Sequence, residues 1–363
     1  MRGGVLPRGQ RARPARRAGG EEPDARLQER RDPRPRERRA WYRGRRPGAG
    51  ADVSERLSPP ARILVTGANG HLGRRLVRAL AARGDAPRAL VRSRAAADSV
   101  ARDAGSHAIE VWVADYADPA AIEQAASGCA RIAHLVGILK ETRTSRYVDA
   151  HDRAAAAVAR AAERVGARRV VAVGLLGTDP GSRNPCLASK ARAERALLEG
   201  KAPATVLRVP MVLGPGEIAA AALRARACAR VAWLVDGGRS LEQPLDADDL
   251  LRAVLRALDD DSGAHRVLEL AGPESLPRRE LVARAAAVLG APPPRIASVP
   301  SFAARLAARA LGALPSRPVT LPMLEVLERD DRIDPTPACR ALGLDLTPLD
   351  ATLRRALESA PAP

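Results

Sequence analysis

The residues whose types and spacing most suggest chemistry lie in Thr66-Gly67-Ala68-Asn69-Gly70-His71-Leu72-Gly73, where Gly67, Gly70 and Gly73 are spaced GxxGxxG. In a chain of 363 residues with 29 glycines, such a triplet means little by itself. Its context gives it weight. The apolar run Arg62-Ile63-Leu64-Val65-Thr66 precedes it, and Leu76, Val77 and Leu80 follow at helical spacing. A strand–turn–helix with no Cβ at three points suits a backbone that must come close to a pyrophosphate. Asn69, His71 and Leu72 then stand around the turn, and the free N–H groups of the helix start face the phosphates.

A second group ends the next apolar run, Leu90-Val91-Arg92-Ser93-Arg94. Sites that select NAD usually carry a carboxylate here for the ribose 2′-hydroxyl, whereas an arginine accommodates a 2′-phosphate. Arginine is common throughout the chain, so the missing acid is the stronger clue. The expected cofactor is NADP, with NAD second. The four cysteines include no CxxC pair and the five histidines no HExxH, so no metal site is expected.

These groups need a frame. Strand-like runs recur at 89–91, 109–113, 132–136, 170–173 and 205–209, with helical patterns between them, among them 154–165 and 190–198. The alternation predicts an α/β fold: a Rossmann-type doubly wound parallel sheet over residues 61–210. After Pro210 it loosens. Helices are expected at 247–258, 278–289, 301–311 and 351–357, with Asp246 and Asp350 as N-caps of the first and last. Residues 211–363 then form a smaller substrate-side lobe, with segments returning to the Rossmann core.

Residues 1–60 are rich in Arg, Pro and Gly and have no apolar period, so they are expected to be a disordered extension, of the kind that a start codon assigned too far upstream leaves. Their 17 arginines against 8 acidic residues make +9 of the chain's +18. The basic side chains are almost all Arg, with lysine only at Lys140, Lys190 and Lys201, and aromatics make up 2% of the chain. A single-strand-binding surface interleaves stacking rings, so nucleic acid is not the expected partner. No run approaches the roughly 20 apolar residues of a membrane span, which leaves peripheral membrane association open. Four scattered cysteines fit a reducing, cytoplasmic setting. The oligomeric state and the small-molecule substrate stay open.

From Ala61 onward the chain resembles the short-chain dehydrogenase/reductase superfamily, in its extended and atypical branches. Val113-Ala114-Asp115-Tyr116 resembles the stretch whose acid meets the adenine. Leu135-Val136-Gly137 is similar to the stretch that runs along the cofactor. Leu207 to Pro210, continuing through Gly216, resembles the segment beside the nicotinamide. His134 to Leu139, and Leu176 to Pro180 leading into Ser189-Lys190-Ala191-Arg192-Ala193-Glu194, are similar to the NmrA-like branch that includes the NADPH-binding accessory subunit of respiratory complex I. Hydride-transferring members use Ser, Tyr and Lys, the Tyr four residues before the Lys. Placing Lys190 at the Lys position puts Cys186 at the Tyr position and Gly174 at the Ser position. Tyr147, four residues before His151, lies on a different segment. A thiol, with a reference pKa of about 8.5, can move a proton but reaches less far than a phenol. The resemblance therefore implies an NADPH-binding protein with weak or atypical oxidoreductase or epimerase-like activity in which Lys190 and Cys186 are the candidates for chemistry. The alternative it implies is a non-catalytic redox sensor or a structural or assembly subunit.

Overall fold

The computed structural model describes residues 61–312 and 319–358, all within one compact unit of the chain. The expectations for residues 1–60 lie outside the described residues. The order begins β1 (Arg62–Thr66), α1 (His71–Ala82), β2 (Ala86–Val91), α2 (Arg94–Ala104), β3 (Glu110–Val113), α3 (Pro119–Ala126) and β4 (Arg131–His134). A π-helical turn (Val148–Arg153) then runs into α4 (Ala154–Val165), β5 (Arg169–Leu175), α5 (Pro185–Leu198) and β6 (Ala204–Val209). Next come β7 (Val212–Leu213), α6 (Ile218–Ala227), β8 (Val231–Val235), β9 (Leu241–Glu242), β10 (Leu245–Asp246) and α7 (Ala247–Leu258). The chain continues with β11 (Arg266–Glu269), β12 (Leu276–Pro277), α8 (Arg278–Val288), β13 (Arg295–Val299), α9 (Ser301–Gly312), α10 (Leu321–Leu327), α11 (Thr336–Leu342) and α12 (Leu349–Glu358).

Seven strands form one sheet in the order β11-β6-β5-β4-β1-β2-β3, every neighbouring pair parallel. This is the doubly wound Rossmann-type arrangement. The order reverses between β1 and β4, and the C-terminal ends of those strands open a crevice there. Strand alternation explains why both faces are apolar. Ile63 and Val65 enter one core with Leu76 and Leu80 of α1 and Val254 of α7. Leu64 enters the other with Ile132 and Val158. A third cluster joins α6, α8 and α12 through Leu223, Leu281 and Leu353. The C-terminal half also returns to the sheet, through the edge strand β11 and through α7.

Some expected boundaries move. The helix carrying Lys190 begins at Pro185, five residues before the expected start. Pro185 occupies the first helical position, and the Asn184 side chain accepts hydrogen bonds from the backbone N–H of Cys186 and Leu187. Asp246 caps α7, accepting from the Asp248 N–H at 2.8 Å. Asp350 does not cap α12. It lies inside the first turn, where its carboxylate pairs with Arg284 of α8 at 2.7 Å, so its partner is a side chain from another helix. Among the described residues no helix is long and apolar enough to cross a membrane.

Candidate functional site

At the end of β1, Gly67 has φ +69°, in the left-handed region, and a Cβ there would lie 3.0 Å from the Leu135 carbonyl carbon. A Cβ on Gly73 would run into the Gly67 carbonyl oxygen and lie 2.8 Å from the Ala68 Cα. These two glycines are required by the protein's own packing. Gly70 is different. Its φ is −71°, and a Cβ would meet only the Gly67 carbonyl oxygen, at 3.3 Å. Gly70 begins α1 without a side-chain cap, so the helix N-terminus faces a cleft lined by Gly70, His71 and Leu72. Asn69 sits exposed on the same turn, and its carbonyl accepts from Arg74 at 2.9 Å.

Arg92 is exposed just past β2, its guanidinium 5.8 Å from the centre of the Tyr116 ring. Tyr116 is buried and donates its hydroxyl proton to the Leu90 carbonyl at 3.2 Å, and burial pushes its pKa up to about 12. It therefore braces the turn and does not ionise. Asp115 is exposed, with its carboxylate accepting from the Ala117 N–H at 3.0 Å. Leu135 and Gly137 line the cleft below β4, Val136 is buried in the core between them, and Pro210 lines the cleft from the end of β6.

The cleft holds about 390 Å³ at the C-terminal ends of β1, β4, β5 and β6. Its lining is mostly aliphatic, with titratable side chains only from His71, Arg75, Lys190 and Glu217. Arg75 of α1 pairs with Asp248 of α7, yet its buried Nη1 has no partner among the described residues. A buried, unpaired guanidinium nitrogen on an uncapped helix fits a phosphate. Together with the glycine turn, it means that the residues present suit a dinucleotide.

The other end of the cleft is built differently. Lys190 reaches across from α5 and donates to the Val173 carbonyl at 3.2 Å. Its Nζ lies only 2.7 Å from where a Gly137 Cβ would be, so Gly137 makes room for the ammonium. Burial lowers the Lys190 pKa, while Cys186 and Glu194 oppose that shift. Cys186 is one turn earlier and fully buried. Its thiol donates to the Ile138 carbonyl at 3.8 Å, burial pushes its pKa up, and it is not part of the cleft lining. Of the two candidates for chemistry, Lys190 lines the cleft and Cys186 does not.

Gly174, at the expected serine position, is not an empty place. A Cβ there would lie inside contact distance of the Glu194 carboxylate and 3.3 Å from Val206. Glu194 is buried, accepts from Thr178 at 3.0 Å and pairs with Arg208 at 2.8 Å. Burial raises its pKa against those partners. Sequence reasoning missed this role, although Glu194 follows Lys190 by one helical turn and so shares its face.

Two histidines, also missed, stiffen this end. His134 Nδ1 and Thr66 Oγ1 lie 2.9 Å apart, joining the ends of β4 and β1. His151 lies on the π-helical turn, and its Nε2 accepts from the Ile138 N–H at 3.0 Å. Its Nδ1 lies 2.7 Å from the Ser189 hydroxyl, which donates onward to the Cys186 carbonyl at 3.0 Å. One hydroxyl proton serves one acceptor, so the network assigns the His151 proton to Nδ1. Burial first, and Lys190 second, lower both imidazoles to a pKa of about 3. Both are neutral braces. Tyr147 stacks on His151 with centroids 5.5 Å apart and donates to the Leu139 carbonyl at 2.8 Å. Its pKa is raised, chiefly by burial.

The comparisons agree with this geometry. Residues 67–224 match a family described as NAD(P)H-binding. The chain is similar to a ceramide reductase of Caulobacter vibrioides, 34% identical over 155 residues, covering 43% of this chain and 47% of that one. It is also similar to the mitochondrial NADH dehydrogenase [ubiquinone] 1 alpha subcomplex subunit 9 of Arabidopsis thaliana, 30% identical over 237 residues, covering 60% of this chain and 55% of that one. The chain thus spans about half the length of these curated relatives. Its fold resembles that of a nucleoside-diphosphate-sugar epimerase from Pseudomonas aeruginosa, at TM-score 0.63 and 23% identity, covering 82% of this chain and 97% of that one.

Proposed function

We propose that this chain belongs to the short-chain dehydrogenase/reductase superfamily, holds NADPH in the cleft and has weak, atypical oxidoreductase activity on an apolar carbonyl compound. The observation that carries the reading is the contrast within one cleft: a phosphate-fitting turn with an unpaired Arg75 nitrogen at one end, and at the other Lys190, with no tyrosine or serine in the cleft lining. Gly67, Gly70 and Gly73 admit the pyrophosphate, and the α1 N-terminus and Arg75 bind it. Arg92 takes the 2′-phosphate and so selects NADP over NAD. Asp115 and Tyr116 border the adenine end. Leu135, Gly137 and Pro210 form the wall along the cofactor, with Val136 packed in the core behind them, and Lys190 holds the nicotinamide ribose. When bound, the nicotinamide supplies or accepts a hydride.

The mostly aliphatic lining suits an apolar substrate, in keeping with a relative named ceramide reductase. With Cys186 turned away, Lys190 is the protonatable side chain at this end, and its lowered pKa suits it to give up a proton. In this reading residues 61–210 form the cofactor domain and 211–363 the substrate-side lobe, and unbridged cysteines suit a cytoplasmic setting. A second reading, a cofactor-retaining sensor or assembly subunit, is favoured by Glu194, whose carboxylate closes the place where a serine would act. Titration of the full chain with NADPH and NADH, followed by turnover across a panel of apolar ketones, tests both. Tight NADPH binding with slow consumption supports the first reading, and tight binding with none supports the second. Failure to bind either nucleotide overturns both.

A further inference from the structure

The chain has only three Trp, three Tyr and one Phe. Burying such a ring gains ~1.5–3 kcal/mol, so a chain this poor in aromatics is expected to keep them inside. It does the opposite in one region. Phe302, the sole phenylalanine, is 74% exposed at the start of α9, and Trp233 on β8 is 67% exposed. The two elements meet where the Asp236 carboxylate, just past β8, accepts from the Ser301 N–H at 2.9 Å. On α9, Phe302, Arg305, Leu306 and Arg309 follow at i, i+3, i+4 and i+7, which puts them on one face. Leu306 is 66% exposed, and Ala308 is the only residue of α9 that is buried among those described. Arg305 lies within electrostatic reach of Glu328, just past α10, while Arg309 has no ion-pair partner among the described residues.

We infer that this face of α9, together with the exposed Trp233 of the adjoining β8, rests on an anionic membrane surface. An apolar stripe of Phe and Leu flanked by arginines is the pattern of a helix lying in the headgroup plane, its rings among the acyl chains and its guanidinium groups at the phosphates. A second copy of the chain fits less well, because a two-fold contact would bring the same arginines against each other. The net charge of +18 adds attraction to an acidic leaflet. The face also has a route to the cleft. The adjoining α10 is tied to Asn184, the cap of the helix bearing Lys190, through a 2.9 Å hydrogen bond to the Pro322 carbonyl.

Sedimentation of the full chain with phosphatidylcholine vesicles, with and without about one quarter phosphatidylglycerol, tests the inference. The acidic vesicles retain the protein, and Phe302→Ser with Leu306→Ser weakens retention by about tenfold or more. Arg160→Gln, which removes one exposed charge from α4, leaves retention nearly unchanged. Brominated lipid quenches tryptophan emission in the unmodified chain, and Trp233→Phe abolishes that quenching, so the result does not depend on the folding of the double variant. Equal retention of the double variant would mean that diffuse basic charge does the binding, and it overturns the inference. So does the absence of retention, or a Phe302→Ser variant that dissociates an oligomer and never meets vesicles.

Discussion

The two ends of the cleft hold their shapes by different means. At the phosphate end the shape comes from backbone: a left-handed Gly67, a Gly73 pressed on its carbonyl, and an uncapped helix start. At the Lys190 end it comes from side chains that meet across distant segments: Glu194 behind Gly174, His151 on the Ile138 amide, and Cys186 under the Ile138 carbonyl. A backbone site survives drift in its surroundings, because few residue types are demanded. A side-chain site depends on which groups meet, and here Glu194 stands behind Gly174 and the Cys186 thiol bonds to backbone. Retained binding and altered chemistry can therefore coexist in one fold.

The sharpest way to break the comparison is Gly70→Val. A branched side chain there meets little protein but fills the space above the turn. Losing two charge-assisted contacts at ~1.5–3 kcal/mol each lowers NADPH affinity by roughly a hundredfold or more. Calorimetric titration and an unchanged melting curve check both halves of the claim. Retained affinity would show that the pyrophosphate lies elsewhere.

The histidines of the other end give a pH signature. Their folded pKa values, about 3, lie below the ordinary value near 6.5, so the unfolded chain binds more protons between those limits. Stability is then fully present above about pH 6.5 and is lost as pH falls toward 3, by on the order of 1 kcal/mol per pH unit for each ring. Urea unfolding at stepped pH measures the slope, and His151→Gln should make it shallower. An unchanged slope would count against the neutral-brace assignment.

Restoring the usual pair, as Gly174→Ser with Cys186→Tyr, is expected to fail as activation. The serine Cβ meets the Glu194 carboxylate, and the tyrosine must fit where the Cys186 side chain is fully buried, so the fold loses ~1–3 kcal/mol or more by overpacking. Thermal melts read the loss. A rise in ketone reduction with no drop in melting temperature would show that this end is looser than its packing. Arg92→Asp is a smaller change. It weakens NADPH about tenfold and spares NADH, by removal of one charge-assisted phosphate contact, and equal effects on the two nucleotides would move the 2′-phosphate away from Arg92. Tyr147→Phe is the mildest. It frees one carbonyl acceptor at Leu139, costs ~1 kcal/mol of stability and leaves NADPH binding unchanged. Loss of turnover without loss of stability would instead make its hydroxyl a reacting group.

Much of this was readable in the chain itself. Gly67, Gly70 and Gly73, the run Arg62–Thr66 and the helix after it are close in sequence, and short-range sterics dictate strand, turn and helix from them. The α4 and α7 bounds were legible to the residue from apolar spacing. Lys190 stood out because lysine is so rare here. Other features depended on the third dimension. That Cys186 faces inward follows from where Pro185 and Asn184 start α5, not from its distance to Lys190. That Gly174 is closed follows from Glu194, which lies 20 residues away in sequence. Asp350 binds Arg284 instead of capping its own helix, because α8 happens to pack there. Local chemistry determined which backbone could cradle a phosphate. Only packing between remote segments decided which side chains reach the cleft, since burial, hydrogen-bond partners and pKa are properties of neighbours that sequence distance does not encode.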